Sequence, residues 1–139
     1  MLNGTSATVP DLNNEIGVTS GGTTTIGAAT ANDIGGGTAA SFGISTSNQS
    51  GVEIFNTEVR NVTVTGAVLS DGISVLGFIG TNDIYNNKVH DIRNASTTAT
   101  TGISGIRTTY NTTGTNIGRV YNNFVYRTCL QFNGKSFLL

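Results

Sequence analysis

The chain has 139 residues, and its 7 Lys and Arg and 8 Asp and Glu give a net charge of −1 at pH 7. This length is typical of one domain, and basic residues that stand singly argue against a nucleic-acid partner. No run approaches the roughly 18 apolar residues of a membrane span, and the single cysteine, Cys129, excludes an internal disulfide.

The two ends of the chain differ from its middle. Residues 1–16 contain the only proline, Pro10, and are predicted to be a lead-in or part of a preceding coil. No basic segment followed by an apolar run opens the chain, so no signal peptide is predicted and we expect a fragment of a longer protein. Residues 129–139 are predicted to be a non-repeat tail.

Two short motifs alternate between residues 17 and 128. The first is a tripeptide, and its copies begin at Gly17, Gly43, Gly72 and Gly102. The second is a block that starts with an apolar residue, at Ile26, Ile54, Ile84 and Val120. Another apolar position follows five residues later, at Ala31, Val59, Val89 and Val125. Self-similarity with a period of about 30 residues indicates a solenoid.

The spacing and the residue types predict which solenoid this is. From each block to the next tripeptide the distance is 17 or 18 residues, whereas the other gap varies from 9 to 18 residues, as expected for one loop-bearing corner. Apolar residues alternate in short β-branched runs, and 19 glycines supply turns. The sequence therefore predicts an all-β, right-handed single-stranded parallel β-helix of about four coils, each about 26–36 residues long.

The clearest repeat carries a family resemblance. The run IYNNKV at residues 84–89, followed by Gly102-Ile103 and later by RVYNNFVY at residues 119–126, resembles the right-handed parallel β-helix repeats of the pectate-lyase-like superfamily. It is most similar to Thr/Asn/Gly-rich exported surface proteins of Bacteroidota. The resemblance implies an extracellular or cell-surface location and a polysaccharide or surface glycan as partner.

Two functions follow from this resemblance. The first is a non-catalytic scaffold segment that acts as a stalk, an adhesin-like element or a weak glycan binder. The alternative is a partial or degraded polysaccharide lyase or glycoside hydrolase. The known enzymes of the superfamily need clustered acidic residues with a catalytic Arg, Lys or His, and this sequence has no Asp-Asp, Asp-x-Asp or Gly-His-Gly. We therefore predict no catalytic residue and favour the scaffold.

One predicted column of the β-helix is aromatic. Aligned blocks place Phe55, Tyr85 and Tyr121 above one another on the outer surface. This column is a candidate sugar-stacking strip, although mutual ring stacking that stabilises neighbouring coils is the favoured interpretation. Beside it, either the Asn56, Asn86, Asn122 column or the Thr57, Asn87, Asn123 column is predicted to form an asparagine ladder.

Charged columns are also predicted. Glu53 lies over Asp83, and the two carboxylates could share a calcium ion, although Arg119 or solvent would relieve their repulsion equally well. We predict no other cofactor. The Asp33, Asn61, Asp91 column has the same ambiguity, and Glu58 over Lys88 is a favourable pair. The only histidine, His90, is predicted to face outward and to be solvated, with the side chain of Asp91 diverging from it.

The variable corner is the other candidate binding surface. Its loops, residues 46–51, 76–81 and 107–118, are predicted to stack on one edge. The candidate ligand contacts there are Asn48, Gln49, Phe78, Arg107, Tyr110 and Asn111. Loops on a rigid scaffold often carry function, although tolerated insertions are the favoured interpretation here. The open ends of a solenoid also expose strand edges, so end-to-end or edge association is expected.

Overall fold

The computed structural model describes residues 2–3, 10–97, 102–132 and 135–138, and the side chains of residues 10–97 and 102–128. All regular structure in these ranges is β-strand, which confirms the all-β prediction. No helix of the described residues is long and apolar enough to cross a membrane.

The strands wind into about three turns, preceded by an incomplete one. The incomplete turn contains β1 (Leu2–Asn3), β2 (Asp11–Leu12), β3 (Glu15–Ile16), β4 (Thr24–Ile26) and β5 (Ile34–Gly35). The second turn contains β6 (Ser41–Ser47), β7 (Gln49–Ser50), β8 (Glu53–Phe55) and β9 (Thr57–Val64). The third contains β10 (Ser70–Phe78), β11 (Thr81–Tyr85) and β12 (Lys88–Asn94). The fourth contains β13 (Ile103–Tyr110), β14 (Ile117–Tyr121), β15 (Phe124–Phe132) and a returning strand, β16 (Lys135–Leu138).

Equivalent strands of successive turns form three main parallel sheets and a small one of β2 and β7, which confirms the β-solenoid. The first sheet has the order β1-β6-β10-β13, the second β3-β8-β11-β14, and the third runs from β4 and β5 through β9 and β12 to β15. Among the described strands, only β16 pairs antiparallel, along the end of β15. The predicted column of Ile54, Ile84 and Val120 is confirmed by direct pairing. Ile54 and Ile84 are buried, whereas Val120 in the last turn is 48% exposed.

The last turn begins three residues later than the repeat predicts. Ile73 pairs with Ile44 below and with Ile106 above, so Gly105 and not Gly102 is the counterpart of Gly72. A β-carbon on Gly72 would lie 2.2 Å from the Val89 side chain, and one on Gly105 would lie 2.2 Å from Val125. Glycine recurs here because the valine of the third sheet occupies that space, and Gly102 is under no such constraint.

The incomplete turn also has a different register from the one predicted. Ile16 pairs with Ile54, and Ile26 pairs with Val59, so Ile26 is not the block start. Ala31 lies in an exposed loop and does not pair with Val59. Ile34 pairs with Val62 as predicted. The short strands of this turn place isoleucines in the interior, and burial of a larger side chain outweighs the repeat pattern that assigned Ala31 there.

The asparagine ladder is formed by the second of the two predicted columns. Asn87 accepts a hydrogen bond from the backbone N–H of Thr57 (3.0 Å) and donates to the carbonyl of Ile54 (2.8 Å) in the turn below. Asn123 repeats this role one turn later, accepting from the N–H of Asn87 and donating to the carbonyl of Ile84. The other column, Asn56, Asn86 and Asn122, adopts φ of 46–55° and makes the sharp turn between the sheets.

Candidate functional site on the third sheet

A row of left-handed residues shapes the outer face of the third sheet. Asn61, Asp91 and Arg127 have φ of 55–57°, and the strand pairing passes over Asp91 from His90 to Ile92. Asn and Asp adopt this conformation more readily than other non-glycine residues. It breaks the alternation of side chains, so His90 and Asp91 point to the same side. The prediction that these two side chains diverge is therefore wrong.

His90 is enclosed by polar partners. Its Nδ1 lies 2.6 Å from a carboxylate oxygen of Asp91 and its Nε2 lies 2.8 Å from a carboxylate oxygen of Glu58. The ring also stacks on Tyr126 with centroids 4.7 Å apart. Only 7% of His90 is exposed, so the prediction of a solvated histidine is wrong. The histidine instead links two carboxylates across neighbouring turns.

Three basic side chains surround the carboxylate of Glu58: those of His90, Lys88 and Arg60. Lys88 Nζ lies 3.1 Å from its carboxylate, which confirms the predicted pair, and Arg60 lies 3.9 Å away. The hydrogen bond from His90 holds the pKa of Glu58 below its ordinary value, against an opposing effect of burial, and Lys88 and Arg60 add to the lowering. The hydrogen bond to Glu58 in turn raises the pKa of Lys88. Glu58 is therefore ionised at neutral pH.

An open cleft of about 660 Å³ lies beside this cluster. Its floor includes His90 and Asp91, and one wall is the loop between β4 and β5, with Ala29, Ala31 and Asn32. Asn61 fixes that wall by donating to the carbonyl of Ala28 (2.6 Å), while Asp33 accepts from the N–H of Ala28 (2.7 Å). In the predicted Asp33, Asn61, Asp91 column, both carboxylates thus accept bonds from the protein, and Asn61 donates through its amide nitrogen.

Three arginines border the same cleft, and sequence reasoning missed them as a group. Arg60 comes from β9, Arg93 from β12 and Arg127 from β15. The Nε of Arg60 donates to the carbonyl of Gly27 (3.1 Å), and the Nε of Arg127 lies 3.0 Å from Asp91. Arg93 is exposed and makes no ion pair with the described part of the chain. The three arginines are far apart in the sequence, and only the pairing of β9, β12 and β15 shows that they are neighbours.

The aromatic column lies on the second sheet, away from this cleft. Phe55 and Tyr85 stack with centroids 5.3 Å apart and planes 9° apart, and Tyr85 and Tyr121 stack at 5.2 Å and 3°. This is the mutual stacking that the sequence favours. Phe55 is 5% exposed and Tyr121 44% exposed, so the column opens to solvent towards the last turn. A sugar-stacking role for these three residues stays a prediction.

In the neighbouring acidic column, Asp83 is paired with a base and Glu53 is bonded by a hydroxyl group. Arg119 donates from Nε and Nη2 to both carboxylate oxygens of Asp83, and the Tyr85 hydroxyl lies 3.3 Å from Glu53. The bond to Asp83 raises the pKa of Arg119, and partial burial together with Glu53 raises the pKa of Tyr85. Glu15 extends the column by pairing with Glu53. No group of three or more potential His, Cys, Asp or Glu metal ligands occurs among the described residues.

The loops of the variable corner lie above one another and are joined by backbone hydrogen bonds between successive turns. The N–H of Ile79 donates to the carbonyl of Gln49, and the N–H of Asn111 to the carbonyl of Phe78. The candidate contacts differ in access to solvent: Gln49 is 1% and Phe78 is 4% exposed, whereas Tyr110 is 69% exposed.

Of the remaining candidate ligand contacts at this corner, Arg107 and Asn111 make hydrogen bonds within the chain, and Asn48 lies at a sharp backbone turn. Arg107 is bound to Asp71 through Nε (2.7 Å) and to the Ser74 hydroxyl (3.1 Å). Asn111 accepts from the N–H and hydroxyl of Thr113, and Asn48 has a φ of 51° at the turn. The buried Asp71 beneath Arg107 was not foreseen, because the predicted register of the last turn set Arg107 three positions away from Ser74.

Comparisons with known proteins assign this chain to no family. No protein-family model matches the chain, and neither the curated proteins nor the solved structures contain a significant match. The parallel β-solenoid is therefore the level at which this chain is classified, and the resemblance to exported surface proteins stays a prediction.

Proposed function

We propose that this chain is a non-catalytic scaffold segment of an exported or cell-surface protein, in which it serves as a stalk, an adhesin-like element or a weak glycan binder. The observation that carries the proposal is that polar and aromatic side chains make contacts that join successive turns. Asn87 bonds the turn below, Tyr85 stacks on both neighbours, and Asp83 is held by Arg119. Such contacts stiffen a rod, because each turn of a solenoid touches only the adjacent turns.

The acidic residues give less support to the alternative, a polysaccharide lyase or glycoside hydrolase. General acid–base chemistry requires a carboxyl group that can reach a substrate proton. Asp83 is 6% exposed and accepts two bonds from Arg119, while Glu58 is bonded by His90 and Lys88. A substrate would have to displace these partners before either carboxylate could act.

The two functions are separated by a turnover assay and a location assay. Purified protein is incubated with polygalacturonate and with neutral β-glucans, and unsaturated products and new reducing ends are measured. We expect no release above a heat-unfolded control, and we expect antibodies against the chain to label intact source cells. Sugar release that disappears in Asp83→Asn or Arg119→Gln would overturn the proposal in favour of the enzyme, and labelling only after cell lysis would overturn the surface location.

A further inference from the structure

The cleft bordered by Arg60, Arg93 and Arg127 has a surplus of positive charge. Two of its arginines are partly engaged: Arg60 through Nε with the carbonyl of Gly27 and through Nη1 with Glu58, and Arg127 through Nε with Asp91. A guanidinium carries five N–H donors, so each of these side chains keeps donors beyond those in use. Arg93 has no ion-pair partner among the described residues. The cleft thus presents unused donors on fixed strands.

The one carboxylate that lines the cleft does not cancel the charge of its three arginines. Asp91 is the acidic residue among the lining side chains, and it is already bonded by His90 and Arg127. Glu58 lies behind His90 and is bonded by Lys88 as well. Neither carboxylate is left to pair with Arg93. An incoming anion would therefore meet an arginine that gives up no internal ion pair on binding.

From this geometry we infer that the cleft binds the oxyanion groups of an anionic polysaccharide, with Arg93 and Arg127 as the principal contacts. The inference rests on the glycan-binding form of the proposed function. The fork of N–H donors on arginine matches carboxylate and sulfate groups, and such bonds are stronger than those between neutral groups. Carboxylate and sulfate ester share this chemistry, so the experiment must distinguish them.

The spacing of the arginines favours a polymer over a single small ion. Arg60 and Arg127 come from strands two positions apart in the sheet, which corresponds to about 10 Å at the usual strand spacing. With Arg93 on the strand between them, the three arginines form a row, and a chain with repeated charges can contact successive members of the row, whereas a single ion would use only part of its donors. Among the described lining residues no Phe, Tyr or Trp offers a face for base stacking, which argues against single-stranded nucleic acid.

Affinity electrophoresis of the folded chain tests this inference directly. The gels contain dextran sulfate, polygalacturonate, neutral dextran or single-stranded DNA. We expect retardation by at least one of the two acidic polysaccharides, reduced by added salt, and none by neutral dextran. The polymer that retards the protein identifies sulfate or carboxylate as the recognised group. No retardation by either acidic polysaccharide, or stronger retardation by DNA, would overturn the inference.

Three variants identify the site. Arg93→Gln and Arg127→Gln should each weaken polymer binding about tenfold, as expected for one charge-assisted contact. Arg119→Gln removes the same charge from the second sheet and should change binding less than about twofold. Because Arg93 has no ion pair within the described part of the chain, its loss should leave the circular dichroism spectrum and unfolding midpoint unchanged. Equal weakening by Arg119→Gln would mean that net charge alone drives binding. Loss of polymer binding without turnover would leave the scaffold proposal standing.

Discussion

Replacement of Asn87 by alanine tests how the turns are held together. Asn87 is 2% exposed, and its amide satisfies the N–H of Thr57 and the carbonyl of Ile54 in the turn below, with a further bond to Asn123. Alanine would leave the two backbone groups without partners in a buried position. Each such group costs about 1–3 kcal/mol, so Asn87→Ala should lower the free energy of unfolding by about 2–6 kcal/mol.

The matched variant is Asn123→Ala, one turn further along the same ladder. Asn123 also bonds two backbone groups, but it is only partly buried in the last turn, where water can hydrate the groups that it leaves. We expect a loss of about 1 kcal/mol there. Urea unfolding followed by circular dichroism measures both, provided that the m-values agree. A loss below about 0.5 kcal/mol for Asn87→Ala, or one no larger than for Asn123→Ala, would refute the reasoning.

Three other features give predictions of the same kind. Gly105→Ala should cost about 1–3 kcal/mol in urea unfolding because its β-carbon would meet Val125, whereas Gly102→Ala should be nearly neutral; the reverse order would restore the register that the repeat predicts. Tyr85→Ala removes two ring stacks and should destabilise the chain about twice as much as Tyr121→Ala, which removes one, as thermal unfolding can determine. The folded-state pKa of Glu58 lies below its unfolded value, so its stabilising contribution is complete above about pH 4.3 and is lost as pH falls through the folded pKa. In an acid titration of stability, Glu58→Gln should therefore show a shallower decline than the wild type, and an unchanged slope would contradict this.

The fold could be predicted from the sequence because burial repeats from turn to turn. Ile54 and Ile84 share one interior column, and so do Val59 and Val89, at positions where any smaller residue would leave a void. Such columns fix the register wherever the strands are long. These columns predict the wrong register where a strand has only two residues, as at β3. They also do so where two Gly-Ile pairs follow each other, at Gly102 and Gly105. A β-carbon clash with Val125 decides between those glycines, and that clash depends on packing between two sheets.

The candidate site was hidden for a different reason. Alternation along a strand predicts that neighbouring residues face opposite sides, and Asp91 breaks that rule by adopting a left-handed conformation. This conformation brings Asp91 to the Nδ1 of His90, whose Nε2 already faces Glu58 on the neighbouring strand. Asp91 is thereby bonded to His90 and Arg127, and of the three cleft arginines Arg93 is the one without an ion pair to the described residues. Whether the third sheet recognises an acidic polymer therefore depends on the backbone at Asp91. Replacing Asp91 by asparagine, which tolerates the same conformation, should keep the cleft while removing its one negative charge, and binding of the acidic polymer should strengthen.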